Sequence, residues 1–207
     1  GDHRVLHSFP TRRSSDLLSV RDSVVDDTST TDLTALYSTP VSGTDHLAAS
    51  PHWVFPAGGV YTWQGDDATN PTWWEVAANW DQGTVPGASD SVVIPNVTNK
   101  PRIATGGVTV TNLAIYGNSS LTVTGQNLTV SGTYSNDGRL ILNGTSGTIS
   151  LTQDTDTGLT EYSGATSSLL GLSSFYDVSF TAGSHSLPGA TSVYGDLTVS
   201  GGATLSS

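Results

Sequence analysis

Four tryptophans crowd into a short stretch of this 207-residue chain and are the side chains best suited to contact a ligand. They are Trp63, Trp73, Trp74 and Trp80. Because indole faces stack on sugar rings, we take the adjacent pair Trp73 and Trp74 as candidate glycan contacts, one of which faces outward if they lie on a strand. The competing interpretation is that the rings fill the open end of an apolar core.

Acidic residues give the second candidate set. Asp154 and Asp156, with Glu161 following, resemble a calcium loop, but the run lacks the full alternation of oxygen ligands and a closing glutamate at the required distance. We therefore expect a loop and no metal ligands. If Asp154 and Asp156 lie on one strand, they share a face, and a carboxylate pair of this kind is what a glycoside hydrolase requires.

The sequence lacks the residues that other kinds of catalysis require. A lyase acting on uronates needs cations to hold its substrate, and beyond Arg102 only Arg139 is present. The chain contains no Gly-x-Ser-x-Gly, phosphate loop or His-Glu-x-x-His motif. We predict no catalytic residues, no cofactor and no enzyme activity.

Composition restricts the partners and the compartment. The formal net charge is −11, so phosphate backbones and anionic lipid surfaces would repel the chain, and we expect no nucleic-acid partner. No apolar run is long enough to span a bilayer, so we expect no membrane insertion by this segment. The absence of cysteine excludes disulfides and thiolate zinc sites.

A short phrase (Asn or Asp, apolar, small, apolar) recurs in the second half of the chain. It begins at Asn112, Asn127, Asp177 and Asp196. Each copy predicts a short strand with alternating faces, and the polar side chain before the strand is expected to bond its own backbone and close a turn. The alternative is that Asp177 and Asp196, stacked in adjacent coils, share a cation.

Apolar positions recur about every 19 to 21 residues, which is the period of a solenoid. The equivalent pairs are Leu121 and Leu140, Leu128 and Ile149, Leu151 and Leu172, and Val178 and Leu197. We predict an all-β protein, a fragment of a right-handed parallel β-helix (β-solenoid) of roughly five coils with an N-terminal aromatic-rich β cap. A β-sandwich with antiparallel pairing of the same runs is the alternative fold.

The chain divides into four predicted regions. Residues 1–17 resemble a translated sequencing adapter, so we interpret them as an artefact and exclude His3 and His7 as metal ligands. Residues 18–58 are expected to be a linker or the tail of an upstream module, residues 59–106 a Trp-rich capping module, and residues 107–207 β-helix repeats that are truncated at the C-terminus.

From residue 59 onward the chain resembles secreted and cell-surface parallel β-helix repeat proteins of bacteria, adhesin-like and autotransporter-passenger-like. The segments that carry the resemblance are YTWQG (61–65), AANW (77–80), GTVPG (83–87), DSVVIP (90–95), TYSNDGRLIL (133–142) and SSFYDVSF (173–180). The resemblance implies an extracellular or cell-surface location and a structural, adhesive stalk, with surface glycans or proteins of host or neighbouring cells as partners. The alternative function is a carbohydrate-binding or polysaccharide-degrading β-helix protein.

Overall fold

The computed structural model describes residues 58–164, 166–167, 169–187 and 189–206, together with two short strands further upstream. The adapter-like segment 1–17 and all of the predicted linker 18–58 except Gly58 and these two strands lie outside the described residues.

The described residues are almost entirely strands. Two 3-10 helices, Ala77–Asn79 and Leu169–Gly171, are the only helical elements among them. The strands are β1 Leu33–Thr34, β2 Trp53–Val54, β3 Val60–Thr62, β4 Ser91–Ile94, β5 Arg102–Ile103, β6 Val108–Val110, β7 Asn112–Ile115, β8 Ser120–Thr124, β9 Leu128–Val130, β10 Tyr134–Asn136, β11 Arg139–Asn143, β12 Ile149–Ser150, β13 Leu159–Tyr162, β14 Thr166–Ser167, β15 Ser174–Phe175, β16 Asp177–Phe180, β17 Ser184–Ser186, β18 Ser192–Val193, β19 Leu197–Val199 and β20 Thr204–Ser206.

The strands wind into a solenoid with three faces. The first sheet contains, in spatial order, β3, β4, β7 and β10, and after a gap β15 and β18. The second contains β5, β8, β11, β13, β16 and β19. The third contains β6, β9 and β12, and after a gap β14, β17 and β20. The strands within each of these sheets pair in parallel, which excludes the β-sandwich and confirms the predicted parallel β-helix. The second sheet is the one without an interruption, and its six strands mark six coils, each rising about 4.8 Å.

Inward side chains stack in columns along the axis. The two longest columns are Leu121, Leu140, Thr160, Val178 and Leu197, and Ile103, Val123, Leu142, Tyr162, Phe180 and Val199. Leu128 lies between Val108 and Ile149 in the third sheet. Three of the four predicted pairs are therefore register partners, and the fourth pair, Leu151 and Leu172, packs against the same core outside the strands.

Three tryptophans form the N-terminal cap. Trp63, Trp74 and Trp80 are at most 2 % exposed, and the Trp80 ring meets Trp63 at 5.0 Å and Trp74 at 4.6 Å, edge to face. Two of the three indole N–H groups are hydrogen-bonded: Trp80 Nε1 donates to the Trp74 carbonyl at 2.9 Å and Trp63 Nε1 to the Asn99 carbonyl at 2.6 Å. The predicted aromatic cap is confirmed, because these rings close the end of the apolar column that a solenoid leaves open.

The stack begins earlier in the chain than residue 107. Within the predicted capping module, Val92 of β4 is the register partner of Leu113, and Ile103 of β5 is the partner of Val123. The coil count is therefore six where the sequence predicts about five. This first coil lacks the recurring phrase, so its sequence does not reveal that it belongs to the stack.

The polar residues before the strands do not close their own turns, and that prediction is wrong for three of the four. Asn112 Oδ1 accepts from Thr133 N at 2.9 Å, Asn127 Oδ1 from Thr148 N at 2.8 Å, and Asp177 Oδ1 from Asp196 N at 2.7 Å. Each donor is one coil later in the chain. Because the strand ladder is interrupted at the corners of a solenoid, backbone N–H groups there need another acceptor, and these side chains supply it.

The fourth coil interrupts the first sheet, where Gln153 and Asp154 replace a strand. Gln153 Oε1 accepts from the backbone N–H groups of Ser173 (3.0 Å) and Ser174 (2.6 Å), while Asp154 Oδ2 accepts from Asn136 N at 2.8 Å. Gln153 is thus bonded to the following coil and Asp154 to the preceding coil. The second sheet passes through the same coil intact as β13.

Candidate functional site

The two predicted glycan contacts point in opposite directions. Trp74 is 1 % exposed and packs in the cap, so it offers no ring face to a sugar, and the expectation that it contacts a glycan is wrong. Trp73 is half-buried and forms an isolated parallel bridge with Arg102 of β5. Ile103 faces the core, so its strand neighbour Arg102 faces outward, and the bridge to Arg102 places Trp73 on the same outer side of the second sheet.

Arg102 stacks on Trp73. The guanidinium carbon lies 5.5 Å from the centroid of the indole ring, a cation–π distance. The backbone fixes both residues, because Arg102 N donates to the Thr72 carbonyl at 2.7 Å and Trp74 N donates to the Arg102 carbonyl at 3.1 Å. The indole therefore holds the guanidinium in a defined position on the surface.

The charge of Arg102 is not neutralised within the described residues. Arg102 makes no ion pair and no side-chain hydrogen bond there, and its buried Nε lacks an acceptor. Arg139, the other arginine of the described part, pairs with Glu161 at 3.1 Å. Arg102 thus differs from Arg139 in having donors without an acidic partner.

Both arginines lie on one surface, which we call the arginine face. It consists of Trp73 and the outward side chains of β5, β8 and β11, namely Arg102, Ser120, Thr122, Thr124, Arg139, Ile141 and Asn143. None of these side chains is a carboxylate, although the chain carries a net charge of −11. The Cα atoms of Arg102 and Arg139 are about 12 Å apart, since two strand spacings and a two-residue offset separate them.

Glu75 lies two residues beyond Trp73, and one of its two carboxylate oxygens is hydrogen-bonded while Oε2 is buried without a partner among the described residues. Its Oε1 accepts from Thr105 N at 2.9 Å and from the Thr105 hydroxyl. Partial burial opposes ionisation, but the hydrogen bonds from Thr105 outweigh it and lower the pKa of Glu75. The carboxylate is therefore held ionised by Thr105 and is poorly suited to act as a proton donor.

In the acidic set of the fourth coil, Asp154 and Asp156 lie within hydrogen-bonding reach of each other, whereas Glu161 is engaged elsewhere. Asp154 and Asp156 precede β13 in a loop, so the premise that they share a strand face is wrong, and Glu161 is paired with Arg139. Burial, and a hydrogen bond that the protonated Asp154 carboxyl donates to the Asp156 carboxylate, raise the pKa of Asp154 to about 6. Among the described residues, no group of three or more His, Cys, Asp or Glu side chains is arranged to hold a metal ion.

Sequence reasoning identified Trp73 but overlooked Arg102 as its partner. Arg102 entered the sequence argument only as one of too few cations for a lyase. The sequence signal for an outward Arg102 was its position beside Ile103, because a strand residue next to one that faces the core lies on the opposite, outer face. The pairing with Trp73 had no such signal, since 29 residues separate the two.

The comparisons with known proteins reveal a family without a described function. No curated protein and no solved structure matches the chain. Within the described part of the chain, no helix has the length and apolarity needed to span a bilayer. One family matches, across residues 62–179, a range that includes the aromatic cap and the arginine face. The chain therefore belongs to the family described as a domain of unknown function, DUF8693.

Proposed function

We propose that this domain is a structural and adhesive stalk segment of a secreted or surface-displayed bacterial β-helix protein and that it performs no catalysis. The observation that carries the proposal is the second sheet, in which six parallel strands stack without a break over inward columns that are apolar except at Thr160. Each coil contacts its neighbours only, so the structure grows along its axis and exposes long outer faces. Such a scaffold suits reach and display.

The state of the carboxylates supports a non-catalytic role. Asp154 accepts one backbone hydrogen bond from the preceding coil, Glu161 neutralises Arg139, and Glu75 is bonded to Thr105. A hydrolase requires two carboxyl groups facing a common substrate position. Each of these three carboxylates instead contacts another residue of the protein, as expected for groups that stabilise the fold.

Bead adhesion under flow tests the proposal. Beads carrying the full chain should be retained on surfaces coated with cell-surface glycans or proteins, whereas beads carrying the Leu128→Asp variant, in which the core is disrupted, should wash off. The same preparations are incubated with polysaccharides, and new reducing ends and unsaturated products are measured. Failure of retention on every surface would refute the adhesive role, and product release that grows with protein concentration would establish the polysaccharide-degrading alternative.

A further inference from the structure

We propose that the arginine face binds a polysaccharide that carries carboxylate groups. In this assignment the terminal nitrogens of Arg102 bind a sugar carboxylate, and the exposed part of the Trp73 ring packs against a sugar ring. The assignment rests on the proposed adhesive function and names the ligand class and the surface that binds it.

The guanidinium of Arg102 is held in a position suited to bind a planar anion. Stacking on Trp73 fixes the guanidinium, so less side-chain freedom is lost when its donors bind a carboxylate. Its Nε is buried, whereas its terminal nitrogens are not among the buried unpaired atoms. A carboxylate can accept two parallel hydrogen bonds from a guanidinium, which a single hydroxyl cannot match.

Charge directs the anion to this surface. With a net charge of −11, the chain repels acidic polymers over most of its exterior. Of the two arginines among the outward side chains of β5, β8 and β11, Arg139 is neutralised by Glu161, so the attraction comes from Arg102, which has no ion pair among the described residues. The nearest carboxylate at the Trp73 end of the face, Glu75, is turned to Thr105, to which it is hydrogen-bonded. Because charges are screened within about 8 Å at physiological salt, distant acidic residues do little to counter this local attraction.

The other side chains of the face favour a sugar over a peptide. Ser120, Thr122 and Thr124 are half-buried in β8 and present hydroxyl groups suited to sugar hydroxyls. An extended peptide usually adds to a free strand edge, and this surface offers none, because β8 pairs with β5 on one side and β11 on the other. What remains is the outer surface of a paired sheet with an aromatic ring at one end.

Isothermal titration calorimetry with defined probes tests the assignment. The full chain is titrated with an oligogalacturonate, with a neutral oligogalactan of the same length, and with a poly-glutamate peptide. We expect the oligogalacturonate alone to bind, and Arg102→Gln to weaken its binding about tenfold or more. Arg102→Lys keeps the charge and most of the side-chain stem but not the planar guanidinium, and it should also bind weakly.

Lys100→Gln is the matched control. It removes the same charge two residues from Arg102, at a lysine that bonds Asn96, so a purely long-range electrostatic effect would weaken binding equally in both variants. Thermal melting shows that each variant is folded, and Trp73→Leu should weaken binding while Arg102 remains.

The other outcomes overturn the assignment. Binding of the neutral oligosaccharide with equal affinity would remove the role of the carboxylate, and preferential binding of poly-glutamate would indicate a protein partner. Equal losses in the Arg102 and Lys100 variants would exclude a specific guanidinium contact. If none of the probes binds while coated beads are still retained on cell-surface ligands, this site is wrong and the adhesive role stands.

Discussion

The side-chain oxygen of Asn112 accepts a hydrogen bond from the backbone N–H of Thr133, 21 residues later in the chain and one coil further along the axis. The same amide group donates to the Ser91 hydroxyl of the preceding coil at 2.9 Å. One buried side chain therefore joins three coils at a corner of the solenoid, where the strand ladders are interrupted.

Replacing Asn112 should cost more stability than replacing its exposed counterpart. Asn112→Ala removes the side-chain hydrogen bonds to the Thr133 N–H and to the buried Ser91 hydroxyl, and we expect a loss of about 1–3 kcal/mol in the free energy of unfolding. Asn127→Ala breaks the equivalent bond to Thr148 where water can replace it, and should cost under about 1 kcal/mol. Urea unfolding followed by circular dichroism measures both, and equal losses would contradict the argument.

The inward column of the third sheet gives a second stability prediction. Leu128 is fully buried between Val108 and Ile149, so Leu128→Asp places an unpaired charge in the core and should cost several kcal/mol, on the order of 4 or more. Thr129→Asp adds the same charge one residue away on the opposite face, and its effect should be small. A melting temperature of Leu128→Asp within error of the wild type would refute this packing.

The adjacent tryptophans should respond in opposite ways. Trp74→Ala removes a buried ring of the cap and should destabilise the protein by about 3–5 kcal/mol, because a cavity remains beside Trp80. Trp73→Leu removes a half-buried ring and should leave most of the stability intact while abolishing the stacking on Arg102. Chemical unfolding distinguishes the two, and a reversed order would place the wrong tryptophan in the cap.

The recurring phrase indicates strands correctly but does not identify the sheet. Asn112 begins a strand of the first sheet, Asn127 precedes one of the third, and Asp177 begins one of the second. The period of apolar residues does identify coils, because Leu121 and Leu140 must align to bury their side chains. Alternation and period thus suffice for the core, where burial is the deciding force.

Corners and outer surfaces are less predictable from the sequence. The partner of Asn112 is a backbone N–H one coil away, and its position depends on how many residues each corner contains. The contact between Trp73 and Arg102 likewise follows from the path of the chain between β3 and β5. Such contacts form only when the coils are stacked, so no local sequence pattern predicts them.

Stability should vary with pH through Asp154. Its pKa in the folded protein is about 6, raised from 3.8 by burial and by the Asp156 side chain, so the folded state binds more protons between these two pH values. The stabilisation from this group is therefore complete below pH 3.8 and is lost as the pH rises through about 6.

Asp154→Asn retains one acceptor oxygen, whereas the N–H groups of Asn136 and Asp156 bond different oxygens of the wild-type carboxylate, so the variant carries a constant loss of stability that does not depend on pH. The variant also lacks the titration of Asp154. Its free energy of unfolding, relative to the wild type, should therefore increase between pH 4 and pH 7. Parallel urea titrations across this interval measure the difference, and a constant offset between the two proteins would show that Asp154 titrates normally.

The fourth coil also has a mechanical consequence. Among the described residues, the third and fourth coils pair through strands on the second face only, as β11 with β13. On the first face Gln153 and Asp154 replace a strand, and on the third face β14 pairs with β17 of the fifth coil but not with β12 of the third. A load applied along the axis crosses this level through fewer strand contacts than elsewhere, so we expect the molecule to bend most easily between its third and fourth coils.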